Sequence, residues 1–207
     1  MDSHAWDDRY RTADLVWGSG PNRWVAGECA DLPPGRALDL AAGEGRNGIW
    51  LAERGWRVTA VDFSRVALDR GRTLAAALPA PVSDRLTWIE ADLRTAVPAE
   101  EGAYDLVLVA YLHLPADQRR AVLTAAARAL APGGTLLVVG HDTTNLTEGT
   151  GGPQDPAVLF TPEDLLADLA DHGLTTVAAE RRHRTAGPSG DPDREAVDAL
   201  VRLHRPE

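Results

Sequence analysis

Along this chain, short apolar runs alternate with longer stretches whose apolar positions recur at helical spacing. Ala37-Leu38-Asp39-Leu40-Ala41 reads as a buried strand, followed by a glycine-rich turn and a helix over Arg46–Arg54 that Gly55 closes. Arg57–Val61 is a second strand, and Ser64 caps a helix running to about Leu78. Leu86–Glu90 and Tyr104–Ala110 are the third and fourth strands. Asp117–Leu130 is a periodic helix stopped by Pro132-Gly133-Gly134, and Thr135–Gly140 is a fifth strand. Thr161 starts a further helix that ends at Gly173, and strands over about Thr175–Arg182 and Glu195–His204 finish the chain. Strands joined through helices by short loops predict an α/β fold with a parallel sheet covered on both faces.

Two segments stand outside this rhythm. Residues 1–31 are Trp-rich and predict one or two short helices ahead of the main domain, and 142–156, rich in Thr, Gly and Pro, predicts a mobile loop over the strand ends. With no internal repeat, residues 1–207 read as one domain.

Composition narrows the chemistry. The net charge is −10 with pI near 5.0, which disfavours nucleic-acid and membrane partners and suits a small molecule. All 21 basic residues are arginine, so a Walker-type phosphate loop, a pyridoxal Schiff base and the Tyr-x-x-x-Lys pair of short-chain dehydrogenases are excluded. One cysteine, Cys29, permits no internal disulfide and fits a cytoplasmic protein. The first residues show no secretory pattern and no run is long enough to span a bilayer. No metal-ligand spacing is present, and a monomer or homodimer is expected.

Gly43-Glu44-Gly45-Arg46-Asn47-Gly48 falls between the first strand and first helix, where a parallel sheet binds ligands. Asp62 follows the second strand at the spacing of a ribose-diol acceptor, though it also suits a helix start beside Ser64. Asp39, a charge inside an apolar strand, calls for a cationic ligand or for loop amides. Asp92 after the third strand is either an adenine acceptor or a helix cap. Three acids around a glycine cradle repel pyrophosphate and suit S-adenosylmethionine, whose sulfonium and ammonium are cationic. An NAD-dependent oxidoreductase and a non-catalytic S-adenosylmethionine-binding module are the alternatives.

The run Ala37–Gly45 resembles the first motif of class I S-adenosylmethionine-dependent methyltransferases. Val61-Asp62-Phe63-Ser64, Ala91-Asp92-Leu93, Tyr104–Val109 and Leu130-Ala131-Pro132-Gly133-Gly134 resemble its later motifs, in order, over about Trp6 to Arg205. Gly45–Ala52 with Gly55-Trp56-Arg57-Val58 is most similar to the tellurite-resistance and thiopurine-type branch. The resemblance implies a three-layer, doubly wound, seven-stranded sheet with its last strand antiparallel, and the donor across strands one, two and four. It implies methionine-moiety contacts at Asp39, Gly43, Gly45 and Arg46, or Arg9 with Tyr10. Ribose and adenine contacts are implied at Asp62, Phe63, Asp92 and Leu93, with Ala110 as the floor. Trp6, Arg9, Tyr10, Trp17 and Asn22 would close over the donor. One position departs from the motif: Ala41 stands where its first glycine belongs, which would hold the backbone slightly farther from the donor.

Transfer from a sulfonium needs alignment above all, and a base only if the acceptor must lose a proton. His141 and His183 are the candidate bases, with His113 a further histidine after the fourth strand and His183-Arg184-Thr185 implied beside the acceptor. Trp50, Trp56 and Trp88 are expected in the core, and Trp6, Trp17 and Trp24 in a lid or an acceptor wall.

Overall fold

The computed structural model describes residues 3–12, 18, 20–185, 191 and 193–207. Two helices come first, α1 (Ser3–Thr12) and α2 (Arg23–Cys29), the second capped by the Asn22 side chain. The strands are β1 (Arg36–Leu40), β2 (Arg57–Asp62), β3 (Leu86–Glu90), β4 (Tyr104–Ala110), β5 (Leu130–His141), β6 (Thr175–Thr185) and β7 (Glu195–His204). Between them lie α3 (Arg46–Glu53), α4 (Arg65–Ala76), α5 (Ala80–Ser83), α6 (Ala116–Ala129) and α7 (Pro162–Asp168).

The seven strands form one sheet in the order β3-β2-β1-β4-β5-β7-β6, with β7 antiparallel to both neighbours, as expected. Period-2 alternation splits its side chains between two cores. Leu38, Leu40, Val107, Val109, Leu136 and Val138 face α6 and α7. Ala37, Leu106, Leu108, Leu137 and Val139 face α2 and α3 on the other side. The two core strands β4 and β5 are apolar on both faces because helices cover both. Strand order reverses at β1, so the carboxyl ends of β1 and β4 diverge and open a crevice there.

Three boundaries differ from the periodicity. β5 begins at Leu130, directly after α6, and passes Pro132-Gly133-Gly134 through a register shift against Tyr104 and Leu106. A side chain at Gly134 would strike the Ala131 and Tyr104 carbonyls, so the glycine there serves close backbone approach. β6 runs on to Thr185 because hydrogen bonding to β7 continues through Arg184, which brings that arginine into the sheet. The helix after Thr161 ends at Asp168, and a short 3-10 turn at Ala170–His172 completes the span to Gly173.

The 142–156 segment is folded more tightly than its composition suggests. Asp142 caps a 3-10 turn over Thr143–Leu146. Asn145 then pins the segment to the sheet, accepting from the Val197 amide at 2.8 Å and donating to the Gly151 carbonyl at 2.8 Å.

Thr161 and Asp164 form a reciprocal capping box at the start of α7. Replacing Thr161 by Ala is expected to lower unfolding free energy by about 1 kcal/mol, read as a lower urea midpoint with an unchanged slope.

Candidate functional site

The β1–α3 corner is built by backbone bonds and one carboxylate. The Ala42 amide donates to the Val61 carbonyl at 3.0 Å, and the Gly43 amide donates to Asp62 Oδ2 at 2.8 Å. Asp62 Oδ1 accepts from the Ser64 amide at 2.9 Å, so this side chain ties the end of β2 both to the glycine turn and to the start of α4. Ser64 in turn caps α4 through Ala67 and donates its hydroxyl to Asp7 of α1 at 2.5 Å. The helix-start reading of Asp62 is thus realised. Each oxygen retains a second lone pair for a ligand.

Ala41 and Gly45 both adopt left-handed backbone, at φ 61 and 76. The vacant glycine position of the motif is therefore a conformational one, and alanine occupies it under strain. Gly45 has a packing reason as well. A Cβ there would lie 2.3 Å from the Trp88 indole, and one at Gly71 would lie 2.6 Å from it. Trp88 is half-buried against this corner, whereas Trp50 and Trp56 lie in the core as expected.

Asp39 lies on the α3 face of β1, beneath the helix's first turn. It is 1% exposed, and neither carboxylate oxygen has a hydrogen-bond partner. Burial, then the nearby Asp62 charge, pushes its pKa up to about 7, against the opposing pull of the Gly48 amide and Arg46. Loop amides do not satisfy it as one sequence alternative required. Asp62 is also raised, chiefly by burial. Arg46, at the start of α3, is partly buried rather than solvated, and burial lowers its pKa. Its electrostatic neighbours are Tyr111, Asp39, Arg184 and Tyr10.

The remaining donor candidates divide. Phe63 is half-buried after β2, Leu93 is buried in the core, and Ala110 ends β4 at the crevice. Asp92 caps its own turn, accepting from the Arg94 amide at 2.9 Å and from the Arg94 guanidinium at 2.9 and 2.7 Å. That arginine holds the Asp92 carboxyl below its ordinary range. The cap reading of Asp92 is what the structure displays, on a turn rather than a helix, because Arg94 folds back on it.

α1 packs on α4 over this corner, with Tyr10 buried and its carbonyl accepting from Arg70. Trp6 lies 5.7 Å from Tyr10, ring to ring, and 5.1 Å from the Arg9 guanidinium. Asn22 is buried, and its amide donates to Asn47 of α3 at 2.8 Å. Trp17 lies outside the described residues.

The histidines take separate places. His183 is more than half exposed on β6, 3.6 Å from Glu195, and faces water. Strand alternation turns it away from the crevice. His113 accepts the His141 amide at Nε2, 3.1 Å away, and stacks between His141 and Phe160. Burial, then the proximity of His141, pulls its pKa down to about 3, so it stays neutral and structural. His141, at the end of β5, is buried and faces Asp198 of β7.

Sequence reasoning missed Asp198 and Tyr111. Asp198 is fully buried in an apolar strand, the same signal that singled out Asp39. Tyr111 follows β4 with φ 59, a left-handed aromatic residue, and donates its hydroxyl to Asp198 at 2.7 Å. Trp24 donates its indole N–H to the same oxygen at 2.8 Å, so it is a wall of this second cluster. Among the described residues, no group of His, Cys, Asp and Glu could hold a metal ion, and no helix is long and apolar enough to cross a membrane.

A parallel sheet reversing at β1, with a glycine corner clamped by Asp62 beside a buried Asp39 whose oxygens lack partners, is an arrangement of the class I methyltransferase type. Comparison with known proteins agrees: residues 37–134 match the family described as methyltransferase domain, and this core is a class I S-adenosylmethionine-dependent methyltransferase domain. A demethylmenaquinone methyltransferase of Clavibacter sepedonicus is 32% identical over 125 residues, 60% of this chain and 47% of that protein. Glycine N-methyltransferase of Rattus norvegicus is 30% identical over 183 residues, 82% and 59% respectively. A tRNA 5-carboxymethoxyuridine methyltransferase of Escherichia coli is 37% identical over 102 residues, 49% and 38%. The chain spans about half the length of the curated relatives it matches. Among solved structures, the N-methyltransferase NodS of Bradyrhizobium japonicum WM9, in complex with S-adenosyl-L-homocysteine, has the same fold. Its TM-score is 0.70 at 20% identity, over 100% of both chains.

Two predictions follow from the strained and orphaned groups. Relief of left-handed alanine, about 1–2 kcal/mol, exceeds the roughly 0.4–1 kcal/mol that a glycine adds to the unfolded chain's entropy. Ala41→Gly is therefore expected to raise the urea midpoint. The Asp39 pKa stands above its unfolded value, so in donor-free protein its contribution is greatest at low pH and is lost as pH rises through about 7. Asp39→Asn should gain stability relative to the parent between about pH 4 and 7, with a constant gap above; parallel denaturation curves across pH check it.

Proposed function

We propose that this chain binds S-adenosylmethionine across the carboxyl ends of β1, β2 and β4 and transfers its methyl group to a small-molecule acceptor. Asp39 carries this reading: it is a buried carboxylate with both oxygens unpartnered, and a cationic ammonium is the group that would complete it. The donor brings an already activated methyl on its sulfonium.

The chain's own residues bind and orient. Asp39 pairs with the ammonium, and Gly43 and Gly45 let backbone lie against the methionine chain. Arg46, or Arg9 with Tyr10, neutralises the methionine carboxylate, and the partly buried guanidinium of Arg46 is consistent with the first. Asp62 accepts from the ribose hydroxyls with its remaining lone pairs, and Phe63 lies beside the adenine. The Leu93 amide reads the adenine edge, and Asp92 joins it once Arg94 swings aside. Ala110 forms the floor, and α1 with Asn22 closes over the donor. The 142–156 segment moves to admit the acceptor.

A net charge of −10 supports a small acceptor over nucleic acid, because a phosphate backbone would be repelled. The likeness of Gly45–Ala52 and Gly55–Val58 to the tellurite-resistance and thiopurine branch supports placing the chain near that branch. Cys29, buried and raised to about 12 chiefly by burial, suits a reducing cytoplasm as an inert thiol. The chain acts as a monomer or homodimer.

Calorimetry with S-adenosylmethionine, S-adenosylhomocysteine and NAD tests the reading. The adenosyl compounds are expected to bind and NAD to be rejected; NAD binding without S-adenosylmethionine would overturn it. Asp62→Ala should weaken S-adenosylhomocysteine binding by about 1–3 kcal/mol, and an unchanged affinity would remove its ribose role.

A further inference from the structure

Asp198 is the second carboxylate that the sheet buries, and it is met from four parts of the chain: α2, the segment after β4, β5 and β6. Its Oδ2 accepts from Trp24 Nε1 at 2.8 Å, the Tyr111 hydroxyl at 2.7 Å and Arg184 Nε at 2.7 Å. Its Oδ1 faces His141 Nδ1 at 3.5 Å, and neither of these two atoms has a hydrogen-bond partner. The β5–β7 register sets them opposite one another, His141 against Asp198. His141 ends β5 and Tyr111 follows β4, and Arg46 is an electrostatic neighbour of both Tyr111 and Arg184. The cluster therefore lies beside the donor corner, on the acceptor's side.

A merely structural ion pair would be complete with Arg184. It explains neither the histidine aimed at the other oxygen nor the left-handed Tyr111, a conformation that is strained for a non-glycine residue. The groups facing His141 are Asp198 from β7, Arg184 from β6, and Tyr111 and His113 from the segment after β4. Burial, joined by Arg184 and opposed by Asp198, keeps its ring neutral. With the ring proton on Nδ1 toward Asp198, the lone pair is left on Nε2. Catalytic hydrogen bonds of this kind are often long before substrate arrives and tighten afterwards. The Nε2 edge is covered by the turn at Gly152, where a Cβ would fall 2.7 Å from that nitrogen.

We propose that His141 is the general base of this methyl transfer, that Asp198 positions it, and that the acceptor is a small molecule whose nucleophilic oxygen carries a proton at neutral pH. This rests on the methyltransferase reading above. The acceptor's oxygen forms a bond to the methyl carbon, and the carbon–sulfur bond breaks with its electron pair passing to sulfur. The acceptor's proton passes to His141 Nε2, and the resulting imidazolium, paired with Asp198, releases it to water. The Gly149–Gly152 turn lifts to let the acceptor reach Nε2.

Nitrogen-15 NMR of the whole chain saturated with S-adenosylhomocysteine tests the base without an acceptor, the His141→Asn spectrum assigning the signal. An Nδ1-protonated tautomer is expected; an Nε2-protonated one overturns the proposal. Asp198→Asn should lower the imidazole pKa, since the carboxylate favours the imidazolium, and an unchanged pKa also overturns it. With tritiated S-adenosylmethionine and a series of phenols of graded acidity, His141→Asn should lose about 10²–10⁴-fold in kcat on phenols protonated at assay pH. It should lose little on those already ionised. Equal loss on both, or none on either, refutes a base. S-adenosylhomocysteine affinity should not change in His141→Asn. Failure of the parent to bind it at all would instead sink the methyltransferase reading.

Discussion

Burying a carboxylate in the middle of an apolar parallel strand is the constraint around which this molecule is arranged. Asp39 can be tolerated there only by taking a proton or by meeting a cation, since its neighbours in β1 offer hydrocarbon and its backbone partners are committed to the sheet. The glycine turn above it is held open by Asp62 rather than by contact with Asp39. The result is a buried carboxylate without hydrogen-bond partners, next to a turn in which a Cβ at Gly45 would strike Trp88. Pyrophosphate is a poor guest for such a carboxylate, and a cationic nucleoside a good one.

The sheet repeats the device with the opposite outcome. Asp198, in antiparallel β7, collects an indole, a phenol and a guanidinium on one oxygen and turns the other toward His141. One acid has no hydrogen-bond partner on either oxygen, and the other gathers three on one of its oxygens. The two are separated by the crossover between β1 and β4, with Arg46 an electrostatic neighbour of Asp39 and of Tyr111 and Arg184, two of the partners of Asp198. Under the roles proposed above, recognition of the donor and handling of the acceptor's proton fall on different strands, so that either can change without rebuilding the other.

The two non-glycine residues with left-handed backbone among the described residues, Ala41 and Tyr111, follow β1 and β4, the strands that flank that crossover. Strain held at the two lips of a crevice is what a preorganised site looks like when the surrounding sheet overdetermines it. At Ala41 the strain turns the chain into the glycine corner. At Tyr111 it brings the phenol back onto Asp198, with the amide anchored to the Val139 carbonyl at 2.7 Å.

What the sequence by itself determined was the strand–helix alternation, the position of the glycine corner and the oddity of Asp39, because each is a local matter of period, turn geometry or one charge among apolar neighbours. The same test would have exposed Asp198 within Glu195–His204. Only the tertiary structure decided how each acid is met: Asp92 is claimed by Arg94 two residues away, while neither Asp39 oxygen has a hydrogen-bond partner. It also sorted the histidines, sending His183 to solvent and locking His113 under His141. That sorting depends on strand register between segments distant in sequence, 57 residues apart for His141 and Asp198. Register of that range is set by how whole faces of the sheet pack against their helices, and no local pattern of residues encodes it.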